Sequence, residues 1–159
     1  MKAMFTGILI GVLSGIVLGL LIAFFISPKL MFREKQHGTD FDATVAKLEQ
    51  AIETRGWKTP AVHDLQATMQ KFGHDVRKVK ILEICNPDLA FQVLDQSEER
   101  IVSSMMPCRI SVYEKEDGSV WISTINSGLL SKPMSQVIRK TMSEASAGVD
   151  EIIAEVTQD

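Results

Sequence analysis

Hydrophobic and polar positions divide the chain into two parts of different character. Between Lys2 and Lys29 no charged residue occurs, and nearly every position is either large and apolar or small. Further along, apolar residues recur at the spacings of amphipathic helices and half-buried strands. The pattern predicts a transmembrane helix over residues 1–28, a juxtamembrane linker over residues 29–39 and a folded domain over residues 40–159.

The N-terminal apolar segment is long enough to cross a membrane. From Ala3 to Ile26 a helix would extend roughly 36 Å, whereas the hydrocarbon core of a bilayer is ~30 Å thick. A cleavable signal peptide has a shorter apolar region and an A-x-A-like cleavage site, which residues 23–28 do not provide. We therefore expect a retained single-pass anchor that ends near Pro28.

Small residues recur at every fourth position of this segment. The series consists of Ala3, Gly7, Gly11, Gly15, Gly19, Ala23 and Ser27. This spacing lets helix backbones approach closely in lipid, although glycine is also common in membrane helices in general. Because four residues turn about 400°, the stripe drifts by ~40° per step. We expect the helix to pack against a second copy of itself or against neighbours in a larger membrane complex.

The charges that flank the segment give a nearly balanced orientation signal. Lys2 and the α-amine precede the apolar run, and Lys29, Arg33 and Lys35 follow it. A very short, Lys-bearing N-terminal tail is typical of signal anchors that export the following domain. We expect a protein of the bacterial inner membrane with its domain in the periplasm.

The charge of the domain argues against nucleic acid as a partner. Removing Lys2, Lys29, Arg33 and Lys35 from the 17 basic residues leaves 13, and removing Glu34 from the 20 acidic residues leaves 19, a net charge of −6. Nucleic-acid-binding domains instead present a basic face. The cluster of Arg77, Lys78 and Lys80 is better explained as a solvated strand edge.

Apolar periodicity within the domain predicts alternating helices and strands. The predicted helices begin near Asp40, Asp64, Asn86 and Ser131, and the predicted strands are Trp57–Val62, Val76–Cys85, Cys108–Glu114 and Ser119–Ile125. Residues 101–105 are interpreted as extended, and Asp117-Gly118 as a hairpin turn. The resulting order indicates an α+β two-layer sandwich, with a largely antiparallel sheet covered by helices.

Two cysteine motifs resemble those of a known family. The motifs are Ile84-Cys85-Asn86-Pro87, followed by Ala90, and Met106-Pro107-Cys108 leading through the strand to Glu114 and Asp117-Gly118. They resemble the domain-of-unknown-function family 302, over roughly residues 40–157. The resemblance implies a small α+β domain with a curved antiparallel sheet, somewhat like the TATA-binding-protein fold, and often a dimer. It implies no established activity, and it does not account for the anchor.

The two cysteines are the strongest candidates in the domain for chemistry or ligand binding. Cys85 ends a strand before a capped helix, whose N-terminus stabilises a thiolate, and Cys108 opens a strand. If these strands are antiparallel neighbours, the thiols meet near one rim of the sheet. The pair could be buried core thiols, a disulfide, a redox pair, or a soft-metal site for a metal such as copper that recruits Met105 or Met106.

No motif for catalysis or for an organic cofactor accompanies them. The sequence has no nucleophile elbow, phosphate-binding loop or dinucleotide fingerprint, and we predict no enzyme activity. The favoured hypothesis is a membrane-anchored, non-catalytic accessory protein or subunit. The alternative is a periplasmic protein that binds a thiol ligand, a metal or a small ligand through Cys85 and Cys108.

Overall fold

A computed structural model describes the chain from residue 2 to residue 157. In the first helix, the side chains described are those of Gly7, residues 11–21 and residues 29–31.

The N-terminal segment forms one helix, α1, over Lys2–Met31. It continues three residues beyond Pro28, where the sequence predicted its end. The side chains of Ala3, Ala23 and Ser27, which belong to the small-residue stripe, lie outside the described ones. A search of the described residues finds no helix with the length and apolarity that crossing a membrane requires.

Five strands form a single antiparallel sheet, in the order β1-β5-β4-β3-β2. Their bounds are β1 Phe32–Gln36, β2 Lys58–Asp64, β3 Val79–Cys85, β4 Cys108–Glu114 and β5 Val120–Ile125. The tight turn between β4 and β5 contains Gly118, whose φ of 78° is a conformation that favours glycine. The predicted antiparallel sheet and its hairpin are confirmed.

The remaining helices cover one face of this sheet or connect its strands. They are α2 Phe41–Thr54, α3 Leu65–Lys71, α4 Pro87–Leu94, α5 Ser127–Leu130 and α6 Gln136–Thr157, with a 3-10 helix at Ser97–Met105. Four of them begin at side-chain caps, in which Asp40, Asp64, Asn86 and Asn126 accept backbone N–H bonds from the first turn. The α+β fold with helices over the sheet is therefore confirmed.

The main core lies between the sheet and the helices α2 and α6. Side chains alternate along each strand, so one face of β3, β4 and β5 supplies the apolar layer. Its fully buried members are Leu82, Ile84, Ile110, Val112, Val120 and Ile122. From the helices, Leu48, Ile52 and Ile152 pack against them with at most 1% of their surface exposed.

Three local predictions differ from the structure. Residues 101–105 belong to the 3-10 helix rather than to an extended segment. The apolar period of the helix that begins near Asp64 predicts Leu65, Met69 and Phe72 to point inward, but α3 contributes no buried residue and Phe72 is 73% exposed. The C-terminal helix begins at Gln136, later than predicted, because the short helix α5 occupies part of the preceding segment.

The segment between α1 and α2 has more structure than a linker. Residues 29–39 comprise the last turn of α1, the edge strand β1 and a short connection. The first residue of β1, Phe32, follows α1 directly and pairs with Ile125 at the end of β5. The helix and the sheet are thus joined without an intervening flexible stretch.

Candidate functional site: two cavities that share Cys108

The cysteines lie at one end of the sheet, on adjacent strands. β3 and β4 are antiparallel, and their register places Ile84 opposite Cys108. Cys85 is therefore offset from Cys108 by one residue, at the point where β3 gives way to the capped helix α4. Both thiols are free and partly buried, and no disulfide joins them.

A small cavity, here called the thiol cavity, is lined by both cysteines. Its volume is about 30 Å³, roughly that of a single water molecule. Trp57, Leu89 and Met106 contribute to its mostly apolar wall. The two cysteines, which would meet near one rim of the sheet if their strands were antiparallel neighbours, thus line the same cavity.

Burial makes both thiols weaker acids than an exposed cysteine. Desolvation raises the pKa of Cys85, despite its position before the N-terminus of α4. Desolvation also raises the pKa of Cys108, and the nearby Cys85 adds to this shift through charge repulsion. The thiols are therefore protonated at neutral pH, which is the opposite of the activated thiolate that a helix N-terminus favours.

The two methionines proposed as additional ligands lie on different sides of this site. Met106 lines the thiol cavity, whereas Met105 lines a second, larger cavity. Both pack against a small apolar cluster formed by Val93, Val102 and the N-terminal half of α6. Over residues 2–157, no three or more His, Cys, Asp or Glu side chains come together in a group that could hold a metal ion.

The larger cavity, here called the junction cavity, has a volume of about 180 Å³. It lies between the end of the 3-10 helix, the start of β4, the end of β5, α5 and α6. Its apolar wall is formed by Met105, Pro107, Ile125, Leu130 and Val149, and Pro107 and Cys108 line both this cavity and the thiol cavity.

Hydroxyl groups that line the junction cavity already have partners within the protein. Thr124 Oγ1 donates to the Arg109 carbonyl at 2.9 Å, and Ser127 Oγ donates to the Met142 carbonyl at 3.5 Å. Ser146 Oγ accepts a bond from Arg33 Nη1 at 3.1 Å. An occupant of the cavity is therefore not required to supply hydrogen bonds to these groups.

A polar network at the edge of this cavity ties α1 to the domain. The backbone N–H of Asn126 donates to the Met31 carbonyl at 2.8 Å, and its Nδ2 donates to the Leu30 carbonyl at 3.1 Å. Its Oδ1 accepts from Arg33 Nη2 at 2.8 Å. Arg33 also forms an ion pair with Asp150 of α6. Two of the four carbonyls at the end of α1 that have no partner within the helix, those of Leu30 and Met31, are thereby satisfied.

Local sequence pattern does not indicate this second site. Ser127, Leu130, Ser146 and Val149 come from α5 and α6, and only the fold brings them beside β4. The sequence places Arg33 among the charges that flank the anchor, but in the structure its side chain forms hydrogen bonds with residues of the domain. The basic cluster at Arg77 pairs with acidic side chains, with Lys78 and Lys80 near Asp42 and Arg77 near Glu114.

The glycines of α1 have open surroundings. A Cβ atom built on Gly7, Gly11, Gly15 or Gly19 meets no other described atom within 4 Å. These four glycines therefore make no close contact with the described atoms of the domain.

Comparison with known proteins identifies the domain. The family model "Domain of unknown function DUF302" matches residues 33–157, which is most of the chain. The chain belongs to the DUF302 family. The match begins at Arg33, so it includes most of β1 and leaves out α1.

Two relatives illustrate how this DUF302 domain compares with others. An uncharacterized protein of Aquifex aeolicus (strain VF5) is 26% identical over 131 residues, which cover 82% of this chain and 84% of the relative. The crystal structure of an uncharacterized conserved DUF302 protein from Bacillus stearothermophilus superposes with a TM-score of 0.72. That alignment has 21% identity and covers 80% of this chain and 98% of the other, so it supports the fold alone.

Proposed function

We propose that this DUF302 protein is a membrane-anchored, non-catalytic accessory protein or subunit, with α1 as its single-pass anchor. The observation that carries the proposal is the exposure of α1. Every side chain from Gly11 to Leu21 is exposed, and none of these residues is charged. The large apolar ones among them are between 49% and 65% exposed.

The energetic cost of this exposure in water supports a lipid environment. Seven large aliphatic residues lie in this stretch, namely Val12, Leu13, Ile16, Val17, Leu18, Leu20 and Leu21. Burying each gains about 1.5–3 kcal/mol, so the stretch as a whole would gain on the order of 10 kcal/mol. Proteins in water seldom leave so large an apolar patch uncovered.

The length of the helix and the position of the glycines complete the proposal. Thirty helical residues extend about 45 Å, which is sufficient for a bilayer core and one interface. The open surroundings of the central glycines leave their face available to a second copy or to a helix of a larger membrane complex. The location we propose is the bacterial inner membrane, with the domain in the periplasm.

Membrane fractionation of the full chain in bacterial cells tests the anchor. We expect the protein to remain in the membrane pellet after an alkaline carbonate wash and to need detergent for release. Leu13→Arg with Val17→Arg places two charges in the middle of α1 and should shift the protein to the wash fraction.

A matched control separates this effect from a general change in charge. Ile101→Arg alters another exposed apolar residue, 79% exposed in the 3-10 helix, and should leave the protein in the pellet. Protease added to spheroplasts should digest the domain if it faces the periplasm. A wild-type protein that is recovered in the carbonate wash would contradict the anchor.

A second candidate function is soft-metal binding at the thiol cavity, for example of Cu(I). The observation that favours it is the convergence of Cys85, Cys108 and Met106 on one small cavity. Thiolate and thioether sulfur atoms are ligands that Cu(I) prefers. Because the pKa of each thiol is raised, binding must displace protons, and affinity should increase as the pH rises.

Titration of the reduced protein with Cu(I) under anaerobic conditions tests this candidate. We expect one equivalent to bind, with weaker binding after Cys85→Ser and after Cys108→Ser. Met105→Leu should retain binding, since Met105 lines the other cavity, whereas Met106→Leu should weaken it. If the wild-type protein and the double serine variant bind equally, the thiol cavity is not a metal site.

A further inference from the structure

The junction cavity lies at the end of the sheet from which α1 leaves the domain. Ile125, which lines the cavity, pairs with Phe32, the first residue after α1. Leu130, another lining residue, belongs to α5, which contacts α1. Asn126, between these two, holds the last carbonyls of α1. If α1 is inserted in a bilayer, this end of the domain faces the lipid surface.

We propose that the junction cavity binds the end of an acyl chain of a membrane phospholipid. The inference rests on the proposed anchor, because the anchor is what brings the cavity to the membrane. It goes beyond anchoring, since it assigns the domain a lipid ligand.

The size and lining of the cavity fit this occupant. A cavity of roughly 150 Å³ lined by aliphatic side chains binds benzene, so 180 Å³ accommodates a hydrocarbon end of about six carbons. The hydroxyls of Thr124, Ser127 and Ser146 are satisfied by protein groups. The free wall is therefore mostly apolar, which favours a hydrocarbon over a polar ligand.

Exposed apolar side chains connect the cavity with the end of α1. Leu30, Phe32 and Ile125 are 53%, 54% and 45% exposed, and all three lie where α1 meets the sheet. Arg109, which also lines the cavity, is half-exposed and pairs with Glu83 Oε1 at 3.4 Å. An acyl chain at the bilayer surface thus meets an apolar path into the cavity.

Photocrosslinking in vesicles tests the proposal with the full chain. The probe is a phosphatidylglycerol with a diazirine near the end of one acyl chain, diluted into phosphatidylethanolamine and phosphatidylglycerol. After irradiation and trypsin digestion, the last peptide begins after Lys140 and contains Ser146 and Val149 of the cavity wall. We expect this peptide to be labelled together with peptides from α1.

Two adjacent serines provide a matched pair of variants. Ser104 lines the cavity and is exposed, whereas Ser103, also exposed, does not line it. Ser104→Trp should close the entrance and reduce labelling of the C-terminal peptide several-fold, and Ser103→Trp should leave the labelling unchanged. Ser104→Phe provides a smaller obstruction, and a urea unfolding curve of each variant verifies the fold.

The outcomes separate this inference from the anchor. Labelled α1 with an unlabelled C-terminal peptide would overturn acyl-chain binding and leave the anchor in place. Equal labelling of the C-terminal peptide in the Ser104→Trp and wild-type proteins would also overturn it. Absence of label from α1 would contradict the anchor itself.

Discussion

At the scale of single residues, Gly148 is a position where the core tolerates no added atom. A Cβ built on this residue of α6 lies 2.6 Å from Cζ2 of Trp57. The indole is buried, with 6% of its surface exposed, so it has little freedom to move away. Trp57 also lines the thiol cavity, which links this contact to the candidate site.

We predict that Gly148→Ala lowers the free energy of unfolding by about 1–2 kcal/mol. Overpacking a core costs about 1–3 kcal/mol, which outweighs the gain of up to about 1 kcal/mol in helix propensity. Urea unfolding followed by tryptophan fluorescence measures the change. Gly128→Ala is the control, because its Cβ would meet Ser146 at an ordinary distance of 3.4 Å. An increase in stability of Gly148→Ala would show that the indole gives way.

At the scale of elements, Asn126 joins three parts of the structure through one side chain. It caps α5 by accepting the Leu129 N–H at 3.1 Å, and it binds Arg33 of β1 and the Leu30 carbonyl of α1. Because these bonds meet at one residue, the orientation of α1 relative to the sheet depends on it.

We predict that Asn126→Ala destabilises the domain by about 1–2 kcal/mol, the cost of losing a helix cap and a partner for Arg33. Hydrogen exchange of the detergent-solubilised full chain should show faster exchange of the Leu129 amide. Asn126→Asp keeps the acceptor oxygen and loses only the donor to the Leu30 carbonyl. Exchange of the Leu129 amide should therefore remain slow in this variant. Asn86→Ala removes the cap of α4 and should leave exchange at Leu129 unaltered.

The elements that the sequence predicted well are those whose apolar period is clear. β4 agrees with its predicted bounds. The apolar period of the last helix predicts an inward stripe, and all its members except Met134 are buried in α6, namely Ile138, Met142, Ala145, Val149, Ile152 and Val156. The condition under which the two cysteines meet, namely that their strands are antiparallel neighbours, holds in the structure. The local apolar pattern is enough to predict these elements, because burial of one face of a strand fixes its register.

The elements that the sequence missed depend on contacts from distant parts of the chain. The residues of β1, Phe32–Gln36, are mostly polar and exposed, and their strand conformation comes from pairing with β5. α5 has four residues and is held by Asn126 and α6. For the same reason the junction cavity, whose walls come from five separate segments, could not be predicted from local pattern.

At the scale of the whole molecule, the absence of a flexible connection has a functional consequence. A domain on a long linker can adopt any orientation above a membrane, whereas this one continues from α1 into a paired strand. An anchored α1 would therefore present the same end of the sheet, with the junction cavity, to the lipid surface. The proposed anchoring and the proposed lipid binding are thus linked by the direct connection between α1 and β1.

The glycine stripe leads to the last prediction, which concerns association within the membrane. We predict that Gly11→Ile with Gly15→Ile reduces self-association or co-purification with a partner by roughly tenfold or more, about 1.4 kcal/mol, because bulky side chains separate the helix backbones. Native mass spectrometry in mild detergent measures it. Leu13→Ile with Val17→Ile, at the same spacing on another face, should have little effect.

The drift of the stripe makes a second pair of substitutions informative. Gly7 and Gly19 are three steps apart and therefore differ by about 120° around the helix. A single crossing partner contacts the central glycines, so Gly7→Ile with Gly19→Ile should then weaken association less than the central pair. Equal effects of the two pairs would mean that the helix packs against several neighbours, as in a larger complex. Association that survives both pairs would show that the glycine face is not where the helix packs.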